Sequence, residues 1–439
     1  MGALWLCLGM ATSELSAQEP AAPAAEAAPE VKTDDAPVDP DAKYAPPRLT
    51  PEDETKWRRS SLVSFQNALR ASAPTSAETK VLVDGATLYV NKITMTSLRK
   101  DLWKSAVDPA KRVVDLAPPA VRSILASAMV KQIGEMLREN PRHPPEVELN
   151  LVLLLANLNS QPGSTTPPTP MVPYTPAHPL LIEYIQDPTR LVQSRIHAAM
   201  ALGRIGRDAI VGVKDGDLSV VQRAAVATSV ATTLRSTEIQ GSKVGHVWLR
   251  WRLVEALGNC GLGIEPTGAP TYIDAAMAVA ADPKENIKVR AAALQAVSQM
   301  NLPGNTNVPL ILSEIMKVVE QVAKNYNSAA QAKVKQPVDP DSSWAIMECY
   351  LAFQPATQQQ ANAPRLWGML NQSKRSGLGG YSASVKGAYD LCVPITNHMI
   401  NNAKSPIVIP KAQVDAVSKW VQDNPPADRK PTATSAALP

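Results

Sequence analysis

Four segments in the middle of the chain open on arginine and continue in small or aliphatic residues. They are RIHAAMALG (195–203), RAAVATSVA (223–231), RWRLVEALG (250–258) and RAAALQAVS (290–298). Successive arginines stand 28, 27 and 40 residues apart. A helical hairpin of about 30 residues cannot bury its apolar face alone, so such a series implies units stacked into one continuous core. The first two intervals match one hairpin each, and the third implies an insertion, GLGIEPTGAP at 261–270. Fainter copies are VRSILASAM (121–129), SWAIMECYLA (343–352) and VKGAYDLCV (385–393).

Each residue type in these segments has a constructional reading. Alanines at 198, 199, 201, 224, 225, 291, 292 and 293 permit close helix approach. Gly203, Gly206, Gly258 and Gly261 fall where helices should end in a left-handed residue. Aspartates precede three of the arginines in turn context, at Asp187-Pro188, Asp217 and Asp282-Pro283. They are expected to cap the following helix, while Arg195, Arg223, Arg250 and Arg290 pair with aspartates of the same or an adjacent unit.

Asp-Pro, a short gap, Val-Arg, an alanine-rich helix and Leu-Gly together resemble the short HEAT-like repeats, the type also called PBS-lyase HEAT-like. NIKVRAAALQAVSQM (286–300) and VQSRIHAAMALGRIG (192–206) carry the closest match, over roughly 180–300. The resemblance implies an all-α fold, an armadillo-like α-solenoid of stacked antiparallel helix pairs. It implies no single activity, since such arrays serve as scaffolds, adaptors and a few enzymes.

Composition agrees with an all-helical interior. Apolar residues make up 45% and aromatic residues only 4%, so small aliphatics must fill the core. SILASAMVKQIGEML (123–137) and EVELNLVLLLANLN (146–159) read as further helices, the second buried between neighbours. The segment KVLVDGATLYVN (80–91), with β-branched residues around Asp84-Gly85, reads as a local hairpin. The 39 prolines cluster in 20–51, 141–179 and 424–431, which marks loops and linkers.

These signals divide the chain. MGALWLCLGMATSELSA (1–17) resembles a signal peptide, with an apolar run and a small-residue cleavage site, although its start lacks lysine and arginine. Residues 18–47 form an Ala/Pro/acidic tether, 48–158 a mainly helical region, 159–179 a proline-rich loop, 180–423 the solenoid, and 424–439 a mobile tail. The expected location is the periplasm or the exterior, with no transmembrane segment after cleavage. Of 44 basic and 40 acidic residues, two lysines and eight acids lie in 1–47, leaving 42 basic and 32 acidic in the body.

No catalytic set emerges. The histidines at 143, 178, 197, 246 and 398 form no HExxH or HxH, and no GxSxG occurs. Cys7, Cys260, Cys349 and Cys392 contain no CxxC, and after signal cleavage the count is odd, which suits small core residues. Neither a metal nor a cofactor is implied. The glycine-rich stretch KRSGLGGYSASVKGAYDL (374–391) sets Lys374, Arg375, Gly379 and Gly380 ahead of a helix, a weak anion site without the Gly-Lys-Ser/Thr of a phosphate loop. HVWLRWRLVEALGNCG (246–261) departs most from its sister segments. Leu249, Leu253, Ala256 and Leu257 form its core stripe. Trp248, Arg250, Trp251 and Arg252 are residue types favoured at interface hot spots. The expectation is therefore a non-enzymatic scaffold or adaptor for a protein partner, with acidic polysaccharide or nucleic acid on a basic surface as the alternative and a lyase-like enzyme third. Export argues against nucleic acid.

Overall fold

The computed structural model describes residues 41–438 apart from 167, 170, 209–218, 239–243, 333–339, 355–367 and 404–406. The signal segment, most of the tether and Asp217 lie outside the described residues. Lys43–Pro439 form one compact unit. It is an all-α solenoid of stacked helix pairs.

Its first part contains α1 (Pro51–Ser60), α2 (Leu62–Ala68), α3 (Ser76–Asn91), α4 (Asp108–Leu116), α5 (Pro119–Leu137) and α6 (Pro145–Asn157). Four pairs follow: α7 (His178–Gln186) with α8 (Val192–Asp208), α9 (Val220–Ser236) with α10 (Val244–Cys260), α11 (Thr271–Ala281) with α12 (Ile287–Gln299), and α13 (Val308–Gln331) with α14 (Pro340–Phe353). A short α15 (Gly368–Gln372), α16 (Ser382–Asn401) and α17 (Lys411–Asp423) complete the helices. First helices of successive pairs touch, α7 to α9 to α11 to α13, and so do second helices, α8 to α10 to α12 to α14. α6 packs on α8, so the second-helix layer extends back to α6. One hydrophobic cluster runs from Phe65 to Val417, as neighbour-on-neighbour stacking requires.

The arginine series is resolved differently from its spacing. Arg195, Arg250 and Arg290 lie on the second helices α8, α10 and α12, whereas Arg223 lies on a first helix, α9. The structural interval is therefore 55 residues and then 40, and 261–270 is an ordinary link between pairs rather than an insertion. The three second-helix arginines do the same work. Arg195 donates to Ile185 O at 2.8 Å, Arg250 to Leu234 O at 3.0 Å, and Arg290 to Ala280 O at 2.9 Å. Each binds a carbonyl in the last turn of the helix preceding it, where backbone acceptors lack intrahelical partners. Only Arg250 takes a carboxylate as well, Glu285 of the next pair, at 2.6 Å. Asp187 and Asp282 hold the turns themselves, accepting from the amides of Thr189 and Lys284. The cap of α12 is Asn286, which accepts from the Lys288 amide.

Several local expectations are corrected by packing. The segment 80–91 belongs to α3, started by a Thr75–Glu78 capping box. Gly85 is there because Phe65 leaves no room: a Cβ would lie 2.2 Å from its ring. Gly203, Gly206 and Gly258 lie inside helices, and only Gly261 has the left-handed backbone, with φ of 67°. Gly258 faces Ala296, and a Cβ there would stand 2.6 Å from its Cα. Ala225 is exposed on α9, while the other seven alanines are buried. The proline-rich loop packs as an adornment: β1 (Asn159–Gln161) pairs with β4 (Val172–Pro173), and β2 (Ser164–Thr165) with β3 (Pro168–Thr169). Arg122 and Arg204 clamp it through Ser160 O and Asn159.

Both expected mobile ends are fastened where they are described. The Ala45 amide donates to Arg142 O at 2.8 Å, and Ala45 and Leu49 are buried. Beyond Asn424, the chain returns to α11 and α13. The Asn307 side chain donates to Asp428 Oδ1 at 2.9 Å and Lys430 O at 3.0 Å. Its amide reaches Pro431 O, and Ser435 donates to Asp274 at 2.6 Å. Low hydropathy concealed this, because the tail is held mainly by polar bonds to a helix start, with Leu438 its apolar contact to the core. Among the described residues, no helix is long and apolar enough to cross a membrane.

Candidate functional site

On the second-helix layer, α10, α12 and α14 bring three tryptophans together. The ring centroids of Trp248 and Trp251 are 4.9 Å apart, and those of Trp251 and Trp344 are 5.4 Å apart. At helical spacing Trp251 turns inward beside Leu253 and Val254, whereas Trp248 stays 37% and Trp344 46% exposed. Between the rings sits Lys288, from the first turn of α12. Its Nζ lies 3.7 Å from the Trp251 centroid, 4.2 Å from Trp248 and 5.1 Å from Trp344. Arg252 stacks its guanidinium 3.9 Å from the Trp251 ring and 5.5 Å from Trp248, and it pairs with Glu255. Cations over indole faces are attracted by the ring quadrupole, each contact contributing about 0.5–2 kcal/mol according to its desolvation.

Charge around this cluster is shaped by burial. Lys288 is 2% exposed. Burial holds its ammonium below the usual lysine range against the pull of Asp341, and Arg252 adds to the depression. Glu348, one turn beyond Trp344 on α14, is buried as well. Desolvation and then the neighbouring Glu255 push its carboxyl up to about 7, although the Trp251 indole N–H hydrogen-bonds it and Arg252 and Lys288 attract it. Its Oε2 is buried without a hydrogen-bond donor.

A cleft of about 260 Å³ adjoins the cluster, and Arg252 and Glu255 belong to both. Asn157 of α6, His197, Met200, Arg204 and Arg207 of α8, and Asn259 of α10 complete its polar and apolar walls. Burial, and then Arg252, hold the His197 imidazolium below its usual range.

The four hot-spot candidates therefore separate. Trp248 and the rim of Arg252 reach the surface. Arg250 and Trp251 are 5% and 4% exposed and support the site from beneath, Arg250 being committed to Leu234, Thr237 and Glu285. Sequence reasoning missed Lys288, Trp344 and Glu348. Two of these stood in a quoted segment, SWAIMECYLA, where Trp344 and Glu348 are one helical turn apart and so share a face.

The glycine-rich stretch forms a clasp on the end of α12. Arg375 donates to Leu302 O at 2.9 Å and Asn301 Oδ1 at 2.6 Å. The buried Gln372 donates to Ser298 O at 3.1 Å, so the loop seals the C-terminal end of α12. Lys374, Gly379 and Gly380 are exposed, and Gly379 begins a three-residue turn, Gly379–Tyr381, ahead of α16. Of the three cysteines in the described residues, Cys260, Cys349 and Cys392, all are buried and none forms a disulfide.

No protein-family description matches the chain, and no curated protein is recognisably similar to it.

Proposed function

We propose that this chain is a non-enzymatic scaffold of the HEAT-like type, exported from the cytoplasm, that binds a protein partner on the exposed face of α8, α10 and α14. One observation carries the reading. Two half-exposed indoles, Trp248 and Trp344, are locked in place by Trp251, Lys288 and Arg252 across three helices. Tryptophan and arginine dominate interface energetics. Rings already fixed in the free protein lose little further freedom on binding, which leaves more of their burial as affinity. Met200, 41% exposed on α8, lines the adjoining cleft and adds apolar surface there.

The test is capture of partners from the envelope fraction of the source cell on the immobilised chain, beside the Trp248→Ala/Trp344→Ala double variant. We expect a protein retained by the parent and lost by the variant, with the variant's melting temperature close to the parent's. A partner held equally by both places binding elsewhere. A parent chain that retains none removes the scaffold reading.

A further inference from the structure

The cleft beside the tryptophans specifies what such a partner must carry. We propose that it is a subsite for a carboxylate side chain, presented on an extended acidic peptide segment whose apolar residues lie on Trp248. The inference rests on the scaffold reading above and deepens it.

Three observations support it. Among the ionisable side chains lining the cleft are three arginines, Arg204, Arg207 and Arg252, with His197 and a single glutamate, Glu255; α6 contributes only Ala156 and Asn157. The lining therefore favours an anion. Arg252 is fixed for that task, since its guanidinium lies 3.9 Å from the Trp251 ring centroid and one end bonds Glu255. Its Nε is nevertheless buried with no acceptor. That atom has no exposed surface, so an incoming carboxylate meets Arg252 at the exposed edge of its guanidinium, whose side chain is 18% exposed, in a charge-assisted hydrogen bond. Size then selects among anions. About 260 Å³ falls below the usual range for small-molecule pockets, so it accommodates one side chain better than a sugar or nucleotide chain. Glu255, inside the same cleft, would also repel the closely spaced charges of a polyanion.

The experiment measures anisotropy of a fluorescein-labelled peptide of alternating leucine and glutamate, and of its glutamine counterpart, against the full chain. We expect the glutamate peptide to bind and the glutamine peptide not to, with affinity falling as salt rises. Arg252→Gln should weaken binding about tenfold, the loss of one charged hydrogen bond. Glu255→Gln should tighten it, because the resident carboxylate no longer competes for Arg252. That second variant also guards against an Arg252 effect that arises only from a disturbed Trp251. Equal affinity for the two peptides, no gain from Glu255→Gln, or preference for an oligouronate or oligonucleotide would overturn the proposal. If capture by the parent chain still depends on Trp248 and Trp344 while the glutamate peptide fails to bind, the carboxylate subsite is wrong and the scaffold reading stands.

Discussion

The residue with the most consequential environment is Glu348. It stands within the attraction of Lys288 and Arg252, yet burial and Glu255 outweigh them and raise its carboxyl to about 7. A carboxyl whose folded pKa lies above its ordinary 4.5 holds its proton better when folded. Its contribution to stability is thus fully present below about 4.5 and is lost as pH rises through about 7. Glu348→Gln removes that titration while keeping volume and polarity. Relative to the parent, the variant should therefore gain melting temperature between pH 5 and pH 8, by the equivalent of about 1–3 kcal/mol. Thermal unfolding of both proteins across that range is the measurement, and a pH-independent difference would show that Glu348 does not titrate there. Arg250 illustrates the opposite case: its residue type marks an interface anchor, but its burial and its pairing with Glu285 make it a brace.

At the scale of helices, glycine and alanine decide how closely neighbours approach. Gly258 of α10 meets Ala296 of α12 with no space for a methyl group, the nearest atoms being backbone and Cβ at 2.6 and 2.7 Å. Gly203 of α8 faces Ala256 of α10 with a less severe 3.2 Å. Alanine is the better helix former by about 1 kcal/mol, so the two substitutions should diverge. Gly258→Ala must push two helices apart and is expected to destabilise by about 1–3 kcal/mol, the usual cost of overpacking. Gly203→Ala is expected to stay within about 1 kcal/mol of the parent, propensity offsetting the milder contact. Denaturant melts of the two variants make the comparison, and equal losses would place the tight contact elsewhere. The same contact explains why these glycines read as helix ends: a sequence pattern shows that a side chain is absent without showing which neighbour requires its absence.

For the molecule as a whole, stacking makes stability local. Each pair touches mainly its neighbours, so a change at one end is felt there first. The tail 424–438 is joined to α11 and the start of α13 through Asn307, Thr306, Thr432, Ser435 and Asp274. Deleting it removes several hydrogen bonds of about 1 kcal/mol net each. Hydrogen exchange should quicken in α11 and the first turn of α13 while α5 and α6 keep the parent's protection. Unchanged exchange in α13 would mean that the tail contributes nothing to the array, and uniform quickening would mean that the chain unfolds as one unit.

The alternation of alanine-rich segments with turn residues determined the all-α class and the stacking of helix pairs, because a helical face of small residues has no other way to leave water. It also marked the 246–261 helix, whose tryptophans break the small-residue rule. Tertiary structure decided which arginines are equivalent, since only Arg195, Arg250 and Arg290 reach back to the last turn of the helix before them, whereas Arg223 matches them in spacing alone. Contacts alone assembled the site: Trp248, Lys288 and Trp344 come from three helices, and Trp248 and Trp344 stand 96 residues apart in sequence. A repeat pattern records what each segment must bury. It does not record which exposed side chains successive segments bring together, and that juxtaposition across the layer is where binding chemistry arises.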